Sequence, residues 1–183
     1  IQHALNTKRC LLLSPTAAGK SLIIYTLMRY YMEVLPPDKK LLIIVPTTGL
    51  VSQMLEDFKD YSSNDDWDCM SNCHQVFSGQ SKETDKRIII STWQSLYNMP
   101  KEYFSKFGCV FGDECHLFKA KSLSTLMSNL DDCYYRIGTT GTLDGTQTHK
   151  LVIEGLFGRV FQVTTTKTLM DKKLLSTLDI NCL

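Results

Sequence analysis

Apolar positions in this chain come in short unbroken runs that alternate with longer stretches where they recur every three or four residues. Cys10–Leu13, Leu41–Val45, Ile88–Ile90, Cys109–Phe111 and Tyr134–Ile137 are strand-length runs. An all-apolar run of that length fits a strand covered on both faces, where neither side of the pleat meets water. Between the runs the period changes. Leu22, Ile23, Leu27, Tyr30, Tyr31 and Val34 predict a helix from about Lys20 to Val34, with those residues on one broad face and Pro36-Pro37 ending it. Leu50, Val51, Met54, Leu55 and Phe58 predict a second helix. Leu123, Leu126, Met127 and Leu130 fall at i, i+3, i+4 and i+7 on a third. Trp93–Tyr97 reads as a short helix, and residues 61–86 as polar loops with an edge element at Val76-Phe77. Gly138 reads as the end of the fifth strand. The tail predicts a helix near Leu151–Leu156, a strand near Val160–Val163 and a mixed end segment. Strands and helices in alternation, joined by short connections, specify an α/β fold: a parallel sheet with helices on both faces. In such sheets ligands bind beyond the carboxyl ends of the strands, so the informative loops are those that follow strands.

At 183 residues the chain suits one domain with a full core, not two. No apolar run approaches the roughly 18 residues of a membrane span, so no membrane partner is expected. The opening Ile1-Gln2-His3-Ala4 has no initiator Met and no signal pattern, and reads like the interior of a helix. The chain is therefore expected to be cut from a longer one. Seven cysteines scattered through apolar segments argue for reduced thiols and a cytoplasmic setting. Cys69-x3-Cys73-His74 lacks the second ligand pair of a zinc site and reads as a loop with ordinary thiols. A net charge of +1 supplies no global field for nucleic acid, so a surface that binds it must be local. Lys8-Arg9, Lys39-Lys40, Lys86-Arg87, Lys101 with Lys106, and Lys119 with Lys121 are basic spots that each read as a solvated face.

Two loops after strands carry chemistry. Ser14-Pro15-Thr16-Ala17-Ala18-Gly19-Lys20-Ser21 leaves the first strand and opens the first helix. It fits the phosphate-binding pattern G-x-x-x-x-G-K-[ST], except that Ser14 replaces the first glycine. Small residues let successive backbone amides approach a phosphate closely, which makes Thr16, Ala17, Ala18, Gly19, Lys20 and Ser21 the expected nucleotide-binding set. Lys20 adds a point charge for the β and γ phosphates, and Ser21 offers a hydroxyl to Mg2+. The second loop, Gly112-Asp113-Glu114-Cys115-His116, ends an apolar strand in two acids. Asp113 would hold Mg2+ and Glu114 would orient and deprotonate an attacking water. His116 is placed to sense the phosphate end and couple it to other motifs.

Asp113-Glu114-Cys115-His116 resembles a DEAD/DEAH-like box in its DECH form. Together with Pro15–Ser21 it is similar to the first RecA-like domain, a P-loop NTPase fold, of superfamily 2 helicases. The resemblance runs through nearly the whole chain. Ile43–Gln53 resembles motif Ia, Ser91–Leu96 resembles motifs Ib/Ic, and Thr140-Gly141-Thr142 stands where the family has motif III. That Thr-Gly-Thr, with Phe107-Gly108 before the box and Gly155-Leu156-Phe157-Gly158 after it, resembles the UvsW-type helicases of tailed phages.

The resemblance implies an ATP- and Mg2+-dependent DNA helicase or translocase of recombination, repair or replication-fork processing. Single-stranded or branched DNA would be its partner, in the host cytoplasm if the chain is phage-encoded. It implies nucleic-acid contacts at Pro46, Thr47, Thr48, Thr92, Trp93 and Gln94, and coupling through Thr140 and Thr142. Trp93 could stack a base or fill the core. The adenine-gripping upstream Gln has no counterpart, because Gln2 lies too close to Lys20. No Gln-x-x-Gly-Arg-x-x-Arg segment follows either, so the arginine finger is absent from this chain. The expected organisation is a first RecA-like ATP-binding domain over 1–165, truncated at its N-terminus, with 166–183 starting the connection to a second RecA-like domain. Two other readings remain open: an ATP-gated nucleic-acid-binding module, and a duplex translocase that does not separate strands.

Overall fold

In the computed structural model of the chain, residues 1–77, 79–118, 120–143 and 147–175 are described. Lys119, Cys182 and the later part of the expected 166–183 connection lie outside them. The elements follow in the order α1 (Gln2–Thr7), β1 (Arg9–Leu13), α2 (Lys20–Val34), β2 (Lys40–Val45), α3 (Thr48–Tyr61), α4 (Cys69–Asn72) and β3 (Cys73–Val76). Then come β4 (Ile88–Thr92), α5 (Trp93–Leu96), α6 (Lys101–Phe104), β5 (Phe107–Gly112), a 3₁₀ turn (Cys115–Leu117) and α7 (Ala120–Ser128). β6 (Tyr135–Thr140), α8 (Gln147–Phe157), β7 (Val160–Gln162) and α9 (Thr166–Asp171) complete the described chain. Seven parallel strands form one sheet in the order β3-β4-β2-β5-β6-β1-β7.

The all-apolar strands are explained by two cores, one on each face. Leu41, Ile43 and Val45 of β2 face α2 and α3, together with Ile88, Ile90, Cys109, Phe111 and Ile137 of the neighbouring strands. Leu42 and Ile44 face the other way, with Ile89, Val110 and Leu11, against residues of α6, α7 and α8. Every residue from Leu41 to Val45 is fully buried, as a strand sandwiched between helix layers requires. The i, i+3, i+4, i+7 set on α7 and just beyond it, Leu123, Leu126, Met127 and Leu130, is likewise buried.

Three expectations are corrected. The broad apolar face expected on α2 is not the one it buries: Leu22, Tyr30 and Val34 are close to half exposed. The buried stripe is Lys20, Ile24, Leu27, Met28 and Tyr31, with Tyr25 beside it. The apolar residues of that stripe pack in one core with the sheet strands and α3, and an apolar residue on the other side of the helix stays in water. Second, β6 runs on through Gly138 to Thr140 in register with Leu11–Leu13 of β1. A Cβ at Gly138 would lie 2.7 Å from the Leu11 side chain, so this glycine marks a close approach and not a strand end. Third, the polar 61–86 segment holds a helical turn, α4, before the edge strand β3, and that strand ends at Val76. Cys69 and Cys73 are buried in these two elements.

Burial pushes the thiols of Cys109 and Cys115 well above the ordinary range, and the Cys133 thiol and Tyr103 phenol up to about 12. Each group holds its proton more tightly folded than unfolded. Stability is therefore full below the ordinary thiol pKa of 9.0 and is lost as pH rises from there through the folded values. Unfolding free energies from denaturant titrations at about pH 8 to 11 are expected to fall as pH rises. The slope approaches about 1.4 kcal/mol per pH unit for each group that is ionised in the unfolded chain and still protonated in the folded one. A stability that stays flat over that range would contradict the burial of these groups.

Candidate nucleotide-binding site

β1 ends in a loop that is anchored from beneath. The Ser14 amide donates to the Thr140 carbonyl at 2.9 Å, tying the loop root to the end of β6. The Ser14 side chain is fully buried, and its hydroxyl has no hydrogen-bond partner among the described residues. The loop then turns through two residues of positive φ, Ala17 at 63° and Gly19 at 74°. Open space surrounds the Cβ position at Gly19, so it is the left-handed backbone that calls for glycine there. α2 starts with no side-chain cap, leaving its first amides and the positive end of its dipole facing the loop.

The two acids arrive from β5. The Asp113 amide donates to the Ile44 carbonyl at 2.9 Å, and Glu114 takes a left-handed conformation (φ 47°, ψ 50°). That turn points Glu114 back over the loop. Its Oε1 lies 3.1 Å from Lys20 Nζ, and its Oε2 accepts the Gly141 amide at 3.3 Å. Lys20 Nζ also lies 3.5 Å from the carbonyl oxygens of Ser14 and Pro15. Asp113 is 7% exposed, and its Oδ1 accepts from the Thr139 hydroxyl at 2.6 Å. Burial pushes the Asp113 carboxyl upward, and Glu114 adds to the shift; the Thr139 hydrogen bond and Lys20 oppose it. A buried carboxylate of this kind beside an open cleft favours a cation there.

His116 Nδ1 lies 2.8 Å from Thr140 Oγ1 and 3.4 Å from Glu114 Oε2. The Thr140 hydroxyl donates to the Thr142 carbonyl at 2.7 Å. Its one hydrogen is thus committed, so it accepts from His116, which carries its proton on Nδ1. His116, Thr140 and Thr142 form a hydrogen-bonded line, with Glu114 beside its His116 end.

A cleft of about 440 Å³ brings together Thr16, Ala17, Gly19, Lys20, Ser21, Asp113 and Glu114. Its opposite wall is Leu50, Gln53, Met54, Asp57 and Tyr61 of α3; the first two lie in the motif Ia segment, and the last three lie in no motif. These positions follow helical spacing, which is the signal that could have found them. Thr139 was also missed; the available cue was a polar residue at the end of an apolar strand. The Ser21 hydroxyl does not stand alone, since it is 2.8 Å from the Tyr61 hydroxyl.

The expected nucleic-acid set divides. Thr47, Thr48 and Gln94 are exposed, Trp93 is half-buried against the second core, and Pro46 and Thr92 are buried. Thr47 caps α3 by accepting the Leu50 amide, and Thr92 caps α5 by accepting the Ser95 amide. Val45 and Thr92 are partners in the sheet, so the two caps lie side by side. Contact through the Pro46 and Thr92 side chains is not open on this surface; these two residues shape the strand ends. No helix among the described residues is long and apolar enough to cross a membrane.

A family model described as "Type III restriction enzyme, res subunit" matches residues 2–145. The chain is 38% identical over 183 residues to the ATP-dependent DNA helicase uvsW of Enterobacteria phage T4, covering 98% of this chain and 35% of that protein. It is 29% identical over 138 residues to the DNA 3'-5' translocase XPB2 of Sulfurisphaera tokodaii, covering 75% of this chain and 28% of that one. A crystal structure of the UvsW helicase from bacteriophage T4 superposes with a TM-score of 0.73 at 40% identity, over 85% of this chain and 54% of that chain. The chain thus spans about a third of the length of these curated relatives.

The left-handed Ala17 gives a direct test of loop strain. A non-glycine residue there costs roughly 1–2 kcal/mol, offset in part by the greater unfolded-state entropy of glycine. Ala17→Gly is expected to raise nucleotide-free stability by about 0.5–1 kcal/mol in urea unfolding. An unchanged or lower midpoint would show that the loop is not strained at Ala17.

Proposed function

The chain belongs to the type III restriction enzyme res-subunit family, and from that premise we propose that it is the ATP-binding first RecA-like domain of an ATP-dependent DNA helicase. The observation that carries the reading is the meeting of Lys20, Ser21, Asp113 and Glu114 in one cleft beyond the ends of β1 and β5. Thr16 to Gly19 and the uncapped amides of α2 hold the phosphates, with Lys20 as their counter-charge. Ser21 and Asp113 hold Mg2+, which when bound neutralises charge between the outer phosphate oxygens. Glu114 orients a water and takes its proton. Without nucleotide Glu114 is paired with Lys20, so phosphate binding draws Lys20 away and leaves the carboxylate free as a base. The line His116–Thr140–Thr142 carries that change to the surface.

Thr47, Thr48, Trp93 and Gln94 form the nucleic-acid track, with hydroxyls and helix N-termini gripping phosphates without reading sequence. Residues 1–165 are the motor lobe, and the chain from 166 starts the connection to a second RecA-like domain. DNA, single-stranded or branched, is the partner, and the cytoplasm, a host's if the chain is phage-encoded, is the setting. A second reading within the class is a duplex translocase that does not separate strands. The similarity to a relative named a DNA translocase favours it. Triplex displacement without strand displacement by the full protein would select it.

Calorimetric titration with Mg·ATP tests the site. Wild type is expected to bind. Lys20→Ala should bind at least about tenfold more weakly, since a charge-assisted hydrogen bond is worth roughly 1.5–3 kcal/mol. Glu114→Gln should bind and not hydrolyse. A folded wild type that does not bind sinks the reading. Hydrolysis by this chain alone should be slow, because no arginine finger, worth roughly 10³–10⁵ in rate, is present in its sequence. Robust DNA-stimulated turnover by the chain alone would overturn that expectation.

A further inference from the structure

Behind Ser21 stands a built support that no phosphate-loop pattern calls for. The Tyr61 hydroxyl is 2.8 Å from Ser21 Oγ, and both residues line the cleft. Tyr61 is not held by this contact alone. Its ring packs on Tyr25 at 5.5 Å and 59°, and Tyr25 in turn packs on Phe58 at 5.4 Å and on Trp67 at 5.8 Å. Arg29 closes the cluster: its guanidinium donates to the Tyr25 hydroxyl at 2.7 Å, pairs with Asp65 at 2.8 Å and lies 4.7 Å from the Trp67 ring centroid. Ser21, Tyr25 and Arg29 are spaced at i, i+4 and i+8, so one stripe of α2 meets the end of α3 and the loop after it.

We infer that Tyr61 is a positioning residue for the Mg2+-binding hydroxyl of Ser21. The phenol is the more acidic of the two hydroxyls and the better donor. With Tyr61 donating, Ser21 keeps one lone pair for a cation and its own hydrogen for a phosphate oxygen. With the direction reversed, Ser21 would spend its hydrogen on the phenol. The aromatic cluster fixes the donor before any ligand arrives, so the hydroxyl does not have to be ordered on binding. The inference rests on the Mg2+·nucleotide reading above.

The test is ADP affinity measured calorimetrically in EDTA and in excess Mg2+, with the ratio of the two affinities as the readout. An overall change in nucleotide grip cancels in that ratio. Tyr61→Phe retains the ring and its packing and removes only the hydroxyl. It should lower the Mg2+ gain by about tenfold, the lower end of what losing a ligand's supporting partner costs. Ser21→Ala should lose the gain, and Ser21→Ala with Tyr61→Phe should lose no more than Ser21→Ala alone. A Tyr61→Phe ratio equal to or above wild type overturns the inference, as does a further loss in the double variant. If wild type gains nothing from Mg2+, both this inference and the reading beneath it fail. If Ser21→Ala loses the gain and Tyr61→Phe keeps it, only the inference fails.

Discussion

β6 lies between β5 and β1, and the cleft exists because of that insertion. The phosphate-loop strand and the acidic strand are not neighbours in the sheet; β6 pairs with both. Its last residues touch every part of the site. Thr139 donates to Asp113, the Thr140 carbonyl receives the Ser14 amide, the Thr140 hydroxyl meets His116, and the Gly141 amide meets Glu114. Four anchors from one strand end fix the separation between the lysine and the two acids. The price of this insertion is steric: Gly112 and Gly138 lack side chains where Phe157 and Cys115 press on the sheet. An alanine at Gly112 would place its Cβ 2.7 Å from the Phe157 ring, directly beneath Asp113.

The charges inside this frame add little to folding. Desolvating Lys20 and Glu114 offsets most of their attraction, as it does for buried pairs in general. Asp113 is worse placed, with burial opposing its ionised form. The cleft is lined by one cationic side chain, Lys20, and three carboxylates, Asp57, Asp113 and Glu114, a balance short of positive charge. A divalent cation would correct that imbalance, and a polyphosphate would balance the cation in turn. On the proposed reading, Mg2+ and nucleotide complement the site together better than either does alone, which gives Ser21 behind the cleft a part beside that of Lys20 in front of it.

Much of the fold was legible because it rests on local periodicity. Five central strands were visible as apolar runs, and α3 and α7 as helical stripes, since burial on one face or on two leaves different patterns. The rotation of α2 was not legible. Apolar residues surround that helix, and only tertiary packing on the sheet and α3 selects the buried side. The site divides in the same way. Lys20, Ser21, Asp113 and Glu114 stand in short motifs at strand ends. Thr139 and Tyr61 reach their partners across 26 and 40 residues of sequence, through the insertion of β6 and the packing of α3 on α2, so a local pattern can mark the positions but not the partners.

Hydrogen counting fixes the roles in the contacts between His116, Thr140 and Thr142. A threonine hydroxyl has one proton to give, and Thr140 gives it to the Thr142 carbonyl. It must then accept from His116 Nδ1, and Glu114 Oε2 lies 3.4 Å from the same nitrogen. On the proposed reading, movement of Glu114 bears on the turn carrying exposed Thr142 through that nitrogen. Lys20 sits on the other side of the same carboxylate. On the same reading, a group that pulls Lys20 forward changes where Glu114 rests, and two contacts lead onward from Glu114 to the turn carrying Thr142: the Gly141 amide at 3.3 Å and His116 Nδ1 at 3.4 Å.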